Sequence, residues 1–309
     1  MSSLESLQVI PAIRELPFRV GIIGGGRVGG AIARALAPNV AWIVARSPQR
    51  RSQLRRWLEW TPIIGTLEEI AVLPQALILA VPDSAIGSIA VDLARRFGRQ
   101  LEGVLVVHCS GVLTRAAIAP VEPFGGNAVA AHPFTMIPEP DPMWLYGAVW
   151  GVEAKEVVRE QIERLISALG GIPYWLGEVS PQRKAIYHLA AVLASNVTTA
   201  AIAAALRAAE AAAIPAELFL PPILHATMEN AIASLRQRAT VVRTGPLERG
   251  DIDTIERHLA ALEGYPSLQR QYCAFLRAML IQREHVTGAL ALLLNRYCPA
   301  ARSEELHRS

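Results

Sequence analysis

Lysine is nearly missing from this chain: Lys155 and Lys184 are the only two in 309 residues. Arginine carries almost all the positive charge, the formal net charge is only +3, and the basic residues are spread along the sequence. No patch of one sign forms, so nucleic acid is not an expected partner. Cysteine is scarce as well. Cys109, Cys273 and Cys298 are an odd number without metal-ligand spacing, which predicts no metal and fits reduced thiols in a cytoplasmic interior. The N-terminus lacks the basic region and long apolar run of a signal peptide. Charged residues make up 18% and hydrophobic ones 52%, which excludes wholesale disorder and leaves enough apolar material for a large core. One long uncharged run does occur, Leu189–Leu206, and it is about long enough to cross a bilayer. It is mostly alanine and holds Ser195, Asn196, Thr198 and Thr199, so it reads as a buried helix rather than a membrane span.

The most informative stretch runs from Arg19 to Arg51. Val20, Ile22 and Ile23 form a short apolar run, as a buried parallel strand would. Gly24, Gly26 and Gly29 follow in the order G-x-G-x-x-G, with Arg27 and Val28 between them, and Ala31–Leu36 continues at helical spacing. Gly24 permits a sharp turn, Gly26 leaves room for a pyrophosphate against bare backbone, and Gly29 lets helix and strand pack closely. Because strand, glycines, helix and a second strand (Val40–Ala45) arrive in sequence, the motif predicts a dinucleotide site. An NAD site usually has an acid at the end of that second strand. Here the chain reads Val44-Ala45-Arg46-Ser47-Pro48, with Arg50 and Arg51 behind. A guanidinium and a hydroxyl suit a 2′-phosphate, so NADP is expected, with NAD as the alternative.

Residues 1–17 read as a loosely attached lead-in, after which strands and helices alternate as in a parallel sheet. Further strands are expected at Pro62–Ile64, Ala76–Val81, Val104–Val107, Ala128–Ala131, Ala148–Val152 and Ile172–Leu176. Helices fit Gln49–Trp57, Ser84–Phe97 and Lys155–Leu169. Beyond Gly177–Pro181, the expected domain boundary, only helical pattern recurs. Helices are read at Pro181–Ala213, at Pro215–Thr240 with a break at Pro221-Pro222, at Thr254–Leu262 and at Ser267–Leu294. The predicted architecture is α/β: a Rossmann-type doubly wound sheet over 18–177, then an all-helical domain over 178–300.

Ligands in such sheets lie outside the carboxyl ends of the strands. Val81-Pro82-Asp83, His108–Gly111 and His132–Phe134 all fall at that edge. Ser110 can hydrogen-bond a substrate oxygen or cap a local turn, and His132 can exchange a proton near neutral pH. His108 reads as structural. In the helical half, Lys184, His188, Ser195 and Thr199 fall within about 60° of one another at ~100° per residue, with Asn196 at the edge. This polar stripe is expected either to bond neighbouring helices or to face the cleft. The polar loop from Thr244 to Asp251 offers Thr244 and Arg249 to a substrate carboxylate, with Asp251 orienting Arg249.

Together the glycine motif, LILAVPDSAI, VVHCSG, AAHPF, YHLAAVLASN and TGPLERGD resemble the Rossmann-like oxidoreductases that carry the domain of unknown function 2520. The resemblance spans roughly Phe18 to Leu294. It implies an NAD(P)-binding domain, a helical dimerisation domain and a reaction the family name leaves open. Ketopantoate, pyrroline-5-carboxylate and 6-phosphogluconate enzymes belong to the same wider superfamily, and the Ser110 and His132 placement is also similar to prephenate dehydrogenase. Lys184-Ala185-Ile186-Tyr187-His188 departs from the K-x-x-H-N or K-x-x-N-N pattern of β-hydroxyacid dehydrogenases, which sets His188 ahead of Lys184 as the reacting group. The expectation is therefore an NADP-dependent oxidoreductase, a cytoplasmic homodimer acting on a small carbonyl or hydroxy acid. His188 or His132 would give the proton, Ser110 and Asn196 would hold the developing oxyanion, and Ser195, Thr244 and Arg249 would contact substrate. A prephenate-dehydrogenase-like enzyme, an imine reductase and a non-catalytic NADP sensor are the alternatives.

Overall fold

The strands of the first half follow one another across a single sheet whose order in space is β3-β2-β1-β4-β5-β6-β7-β8. A computed structural model describes residues 16–58, 61–242, 244–281 and 288–298; most of the expected lead-in lies outside these. The strands are β1 (Val20–Ile23), β2 (Val40–Val44), β3 (Ile63–Ile64), β4 (Ala76–Leu79), β5 (Leu105–His108), β6 (Asn127–Pro133), β7 (Val149–Glu153) and β8 (Ile172–Trp175). The central strands β1, β4 and β5 are buried along their whole length, as a sheet covered on both faces requires, whereas β3 and β8 at the two edges stay partly exposed. In β4, Ala76 and Ile78 enter one core, while Leu77 and Leu79 enter the other. The first core receives α1 (Arg27–Ala35) through Ile32 and α4 (Arg159–Ala168) through Ile162 and Leu165. The second receives α3 (Asp83–Phe97) through Ile86, Ala90 and Leu93. α2 (Pro48–Trp57) contributes Leu54 to the first. From β1 the chain proceeds outward to β2 and β3, then crosses back to β4 and continues the other way, so the order reverses beside β1. That reversal is where ligands settle in open α/β sheets.

The sheet is not wholly parallel, as the sequence had suggested. β7 runs antiparallel to β6, with His132 opposite Gly151. The connection Phe134–Ala148 is rich in proline and has no α-helix to carry the chain back across the sheet, so it turns directly. α4 then supplies the crossover that makes β8 parallel to β7.

The chain divides into two compact units between Ser195 and Asn196, later than the expected boundary at Gly177–Pro181. The difference lies in α5 (Pro181–Val192), whose first turns are tied to the sheet by a buried ion pair between Lys184 and Glu153. A π-helical turn, Leu193–Val197, follows. It inserts a wider turn into the helix, so the continuous 100° register assumed for the stripe from Lys184 to Thr199 does not hold.

The second unit contains α6 (Thr198–Ala211), α7 (Ala216–Arg236), α8 (Pro246–Arg249), α9 (Ile252–Ala261), α10 (Pro266–Leu280) and α11 (Gly288–Tyr297). Leu247, Ile255, Leu259, Leu276 and Leu294 form its core. Two expectations change here, and a third falls partly outside the described residues. Pro221 and Pro222 lie inside α7 without ending it, although each removes an i to i−4 hydrogen bond from the second turn. The helix expected over Ser267–Leu294 is described as two, α10 and α11, with 282–287 outside the described residues. Cys273 and Cys298, expected as reduced thiols, form a disulfide that links α10 to the residue after α11. Cys109 is the free thiol, and burial pushes it up to about 12, which makes it inert.

The helical run Pro181–Ala211 is long and apolar enough to cross a membrane, yet only 6% of its most apolar window is buried within this chain. The expected buried helix is thus mostly exposed. In α5 only Lys184 is buried, and in α6 only Ala204 and Ala209.

Candidate active site

The glycine turn behaves as its spacing requires. Gly24 adopts φ +108°, and a Cβ there would lie 2.2 Å from the Ala80 carbonyl oxygen, so both backbone conformation and space demand glycine. A Cβ on Gly29 would meet the Gly24 carbonyl oxygen at 1.9 Å, whereas one on Gly26 would enter open space. Gly26 occupies the N-cap position of α1, and no side chain caps that helix. Its first N–H groups are left to an outside acceptor.

These residues open into a groove of about 940 Å³ at the sheet's reversal point. Gly24, Gly26, Arg46, Ser47, Val81 and Pro82 all line it. Arg27, Val28 and Gly29 form the first turn of α1 behind them. Arg50 lines the groove too, a residue the sequence reading left out of the site. Arg46 is exposed at the end of β2. Ser47 Oγ accepts the Arg50 N–H at 3.3 Å and so starts α2, leaving its own hydroxyl hydrogen to donate. Arg51 instead turns back onto the Ala45 and Arg46 carbonyls at 3.1 and 2.9 Å, a structural role. Glu68 and Asp92 line the groove as well, and Asp92 is paired with Arg95 at 3.0 Å.

Two strands away, β5 and β6 end in the second half of the site. His108 is fully buried; its Nε2 donates to the Thr114 carbonyl at 3.0 Å and its Nδ1 accepts the Ser110 N–H at 3.2 Å. Burial holds its pKa down to about 4, so it is the neutral structural residue expected. Ser110 Oγ accepts the Val112 and Leu113 N–H groups at 3.2 and 3.0 Å. It therefore caps the local turn, with its hydrogen left for a third partner.

His132 is packed among rings. His188 lies 5.7 Å away edge-on, Phe134 5.9 Å and Tyr187 6.0 Å. Its Nδ1 is 3.0 Å from the Tyr187 hydroxyl. Burial, with the neighbouring His188, Lys184 and His108 adding to it, lowers the His132 pKa to about 4. Burial, reinforced by Glu153, pushes Tyr187 up to about 12. Both groups are neutral near pH 7. Gly111 fits between the histidines: a Cβ there would lie 2.2 Å from His188 Cδ2 and 2.9 Å from His132 Cε1.

Beneath the rings, Lys184 Nζ meets Glu153 Oε2 at 3.2 Å, and the same oxygen accepts the Arg115 N–H at 3.2 Å. The lysine side chain has no exposed surface, and desolvation lowers its pKa against the pull of Glu153. Glu153 and Tyr187 escaped the sequence reading. Their signals were an acid closing the apolar strand VWGVE and a phenol immediately before His188.

Ser195 Oγ donates to its own helix at the Ala191 carbonyl, 2.7 Å away. Asn196, Thr244 and Arg249 belong to the second unit and are exposed. Asp251 feels the nearby charge of Arg249, as expected, but its main partner is Thr254. It caps α9, accepting the Thr254 N–H at 3.1 Å and hydroxyl at 2.8 Å. Among the described residues, no group of acids, histidines and cysteines is arranged to hold a metal.

The reversal point, glycine turn and groove define the first unit as a Rossmann-like domain, and a family model of that description matches residues 5–133. A second model, the domain of unknown function DUF2520, matches residues 148–279. The chain thus joins a Rossmann-like domain to a DUF2520 domain, the pairing that the sequence motifs resembled. No curated protein matches it. Among solved structures it is similar to a candidate NADP oxidoreductase from Bacteroides fragilis, at 21% identity over 86% of this chain and 98% of that one, with TM-score 0.66. A protein from Thermotoga maritima is also 21% identical over 84% of this chain and 97% of its own, TM-score 0.62. A reductive aminase from Aspergillus terreus, solved with NADPH and ethyl-5-oxohexanoate, is 16% identical over 91% and 99%, TM-score 0.60. At such identities the likeness is one of fold.

Proposed function

We propose that the protein is an NADP-dependent oxidoreductase that moves hydride between the nicotinamide and the carbon of a small C=O or C=N group. The observation that carries the reading is the pairing of a glycine-lined groove at the sheet's reversal point with the ring cluster of His132, Tyr187 and His188 beside the neighbouring strand ends. The groove fits the cofactor. Gly24, Gly26 and Gly29, with the uncapped turn at Arg27 and Val28, would hold the pyrophosphate. Arg46 and Ser47, supported by Arg50, would hold the 2′-phosphate, and Val81 and Pro82 would flank the base-side wall. When bound, the nicotinamide supplies or accepts hydride. The structural relatives described as an NADP oxidoreductase and as an NADPH-bound reductive aminase support this reading.

The chain's own work is positioning and proton supply. His188 is the proposed proton donor. His132, held neutral by burial, serves as the hydrogen-bond partner that orients the Tyr187 hydroxyl, 3.0 Å away. The remaining hydrogen of Ser110 is aimed at the oxygen or nitrogen that develops charge. Lys184 is committed to Glu153, which supports setting it aside as the reacting group. A ketopantoate-like acid remains a candidate substrate, and an imine, the alternative already open in the sequence, remains another.

The same reading includes a homodimer. Ile186, Leu189 and Leu206 stand 60%, 52% and 44% exposed on the long helical run, more apolar surface than a monomer ordinarily leaves open. Light scattering at micromolar concentration tests it, with a monomer as the contrary result. For the activity, titration should show tighter binding of NADPH than of NADH, with the gap closed or reversed in Arg46→Asp. Turnover with a panel of small keto acids and imines should fall by roughly 10²–10⁴ in His188→Asn while cofactor affinity and melting temperature stay near wild type. Equal affinity for the two cofactors, or a His188→Asn protein that merely unfolds, refutes the assignment.

A further inference from the structure

Beyond His132, the same sheet face leads to an aromatic recess. Gly151 on β7 is paired with His132 on β6 and with Tyr174 on β8, so all three positions share one face of the sheet. Phe134, two residues after His132, lies over Gly151: a Cβ there would be 2.6 Å from Phe134 Cζ. Any side chain at 151 would lift that ring. The Phe134 N–H, bonded to the Val149 carbonyl at 2.7 Å, fixes the backbone beneath it. Tyr146 is seated in the same manner, since a Cβ on Gly170 would come 2.3 Å from its Cδ1. Between these rings is a recess of about 540 Å³ lined by Phe134, Trp144, Tyr146 and Tyr174, with Thr135 and Val149 at its edges.

Aromatic residues are only 6% of the chain, and four of them line this one recess. Three of the four stay open to solvent, Phe134 at 41%, Tyr146 at 42% and Tyr174 at 58%, so the rings are not filling the core. No charged side chain is among the lining residues. The recess adjoins the candidate active site through one shared wall, because the Phe134 ring is 5.9 Å from His132 and 5.6 Å from Tyr187. A volume of 540 Å³ exceeds what one aromatic ring needs, about 150 Å³.

We infer that this recess binds a planar, uncharged aromatic group, the side group of the substrate whose reacting carbon lies beside His132. The inference rests on the oxidoreductase reading for the substrate's role, and on the ring geometry alone for its chemistry. Stacking on the exposed ring of Tyr174 contributes specificity, since an offset aromatic pair gains more than equal apolar area would.

Benzyl alcohol and cyclohexylmethanol, alike in size and polarity, are suitable probes for saturation-transfer NMR on the full chain. Benzyl alcohol should receive saturation and cyclohexylmethanol several-fold less. Tyr174→Ala, an exposed position on an edge strand, should weaken benzyl alcohol about 2–10-fold, with Tyr174→Phe restoring it. Equal signals from the two probes, or a Tyr174→Ala protein that binds as wild type, overturn the inference. So does a change in molecular mass of Tyr174→Ala by light scattering, which would make the face a contact between copies. NADP⁺ titration on the same samples separates the two claims. Failure to bind NADP⁺ with benzyl alcohol binding intact would sink the oxidoreductase reading and leave the aromatic recess standing.

Discussion

Replacing Lys184 with methionine probes the join between sheet and helix on which the candidate site depends. The lysine side chain is 0% exposed and that of Glu153 8%, with Nζ and Oε2 3.2 Å apart. Lys184→Met keeps most of the stem's volume but leaves a buried carboxylate whose remaining partner is the Arg115 N–H at 3.2 Å. Breaking one side of such a pair costs about 3–5 kcal/mol. Glu153→Gln leaves the lysine instead; burial already lowers its pKa, so it can shed its proton, and about 1–3 kcal/mol is expected. In the double variant neither charge remains and the glutamine can still accept from Arg115, so its loss should fall short of the sum by at least about 2 kcal/mol. Tryptophan fluorescence during urea unfolding is a clean reporter, because all six tryptophans precede the unit boundary at Ser195. Singles that each cost under about 1 kcal/mol and simply add would refute the buried pair. Tyr187 and His188, one turn further along α5, should also lose their order over His132, visible as altered histidine ring resonances in Lys184→Met.

Gly111→Ala places a methyl 2.2 Å from His188 Cδ2; turnover is expected to drop at least about tenfold through misplacement of the ring, with cofactor binding unchanged, and wild-type turnover would refute the packing. His108 and His132 sit near 4 in the folded chain against an ordinary 6.5, so the unfolded chain takes up protons first as pH falls. Stability should be flat above pH 6.5 from these groups and decline toward pH 4, by up to roughly 3 kcal/mol each; urea midpoints that do not move between pH 7.5 and 5 would contradict it. Reducing the Cys273–Cys298 disulfide, which closes a loop with a sequence separation of 25, should destabilise the helical unit by about 3 kcal/mol. Circular dichroism with and without reductant measures this, and identical melting curves count against it.

The parts legible in the sequence are those set by neighbours along the chain. The glycine spacing after Val20–Ile23 required a tight turn and a bare cradle, and Gly24, Gly26 and Gly29 each meet the condition predicted for it. The alternation of short apolar runs with helical stretches produced every strand to within a few residues; β1, β4 and β5 are buried throughout, and such strands leave a continuous apolar signature. The lack of an acid after β2 and the structural role of His108 were local readings too.

What only tertiary structure decided are relations between residues far apart in the chain. Tyr187 and His132 are separated by 55 positions, and Lys184 and Glu153 by 31; no periodicity announces such pairs. The polar stripe on the long helix assumed an unbroken α-helical register, and the π-helical turn at Leu193–Val197 ended it. Cys273 and Cys298 looked unpaired by count alone, yet the packing of α10 and α11 sets their Cα atoms 5.5 Å apart. The long apolar run showed in sequence that it must be covered, but a single chain buries only 6% of it. Hydrophobicity along the chain fixes that a surface seeks cover, and the packing of distant elements decides what supplies it.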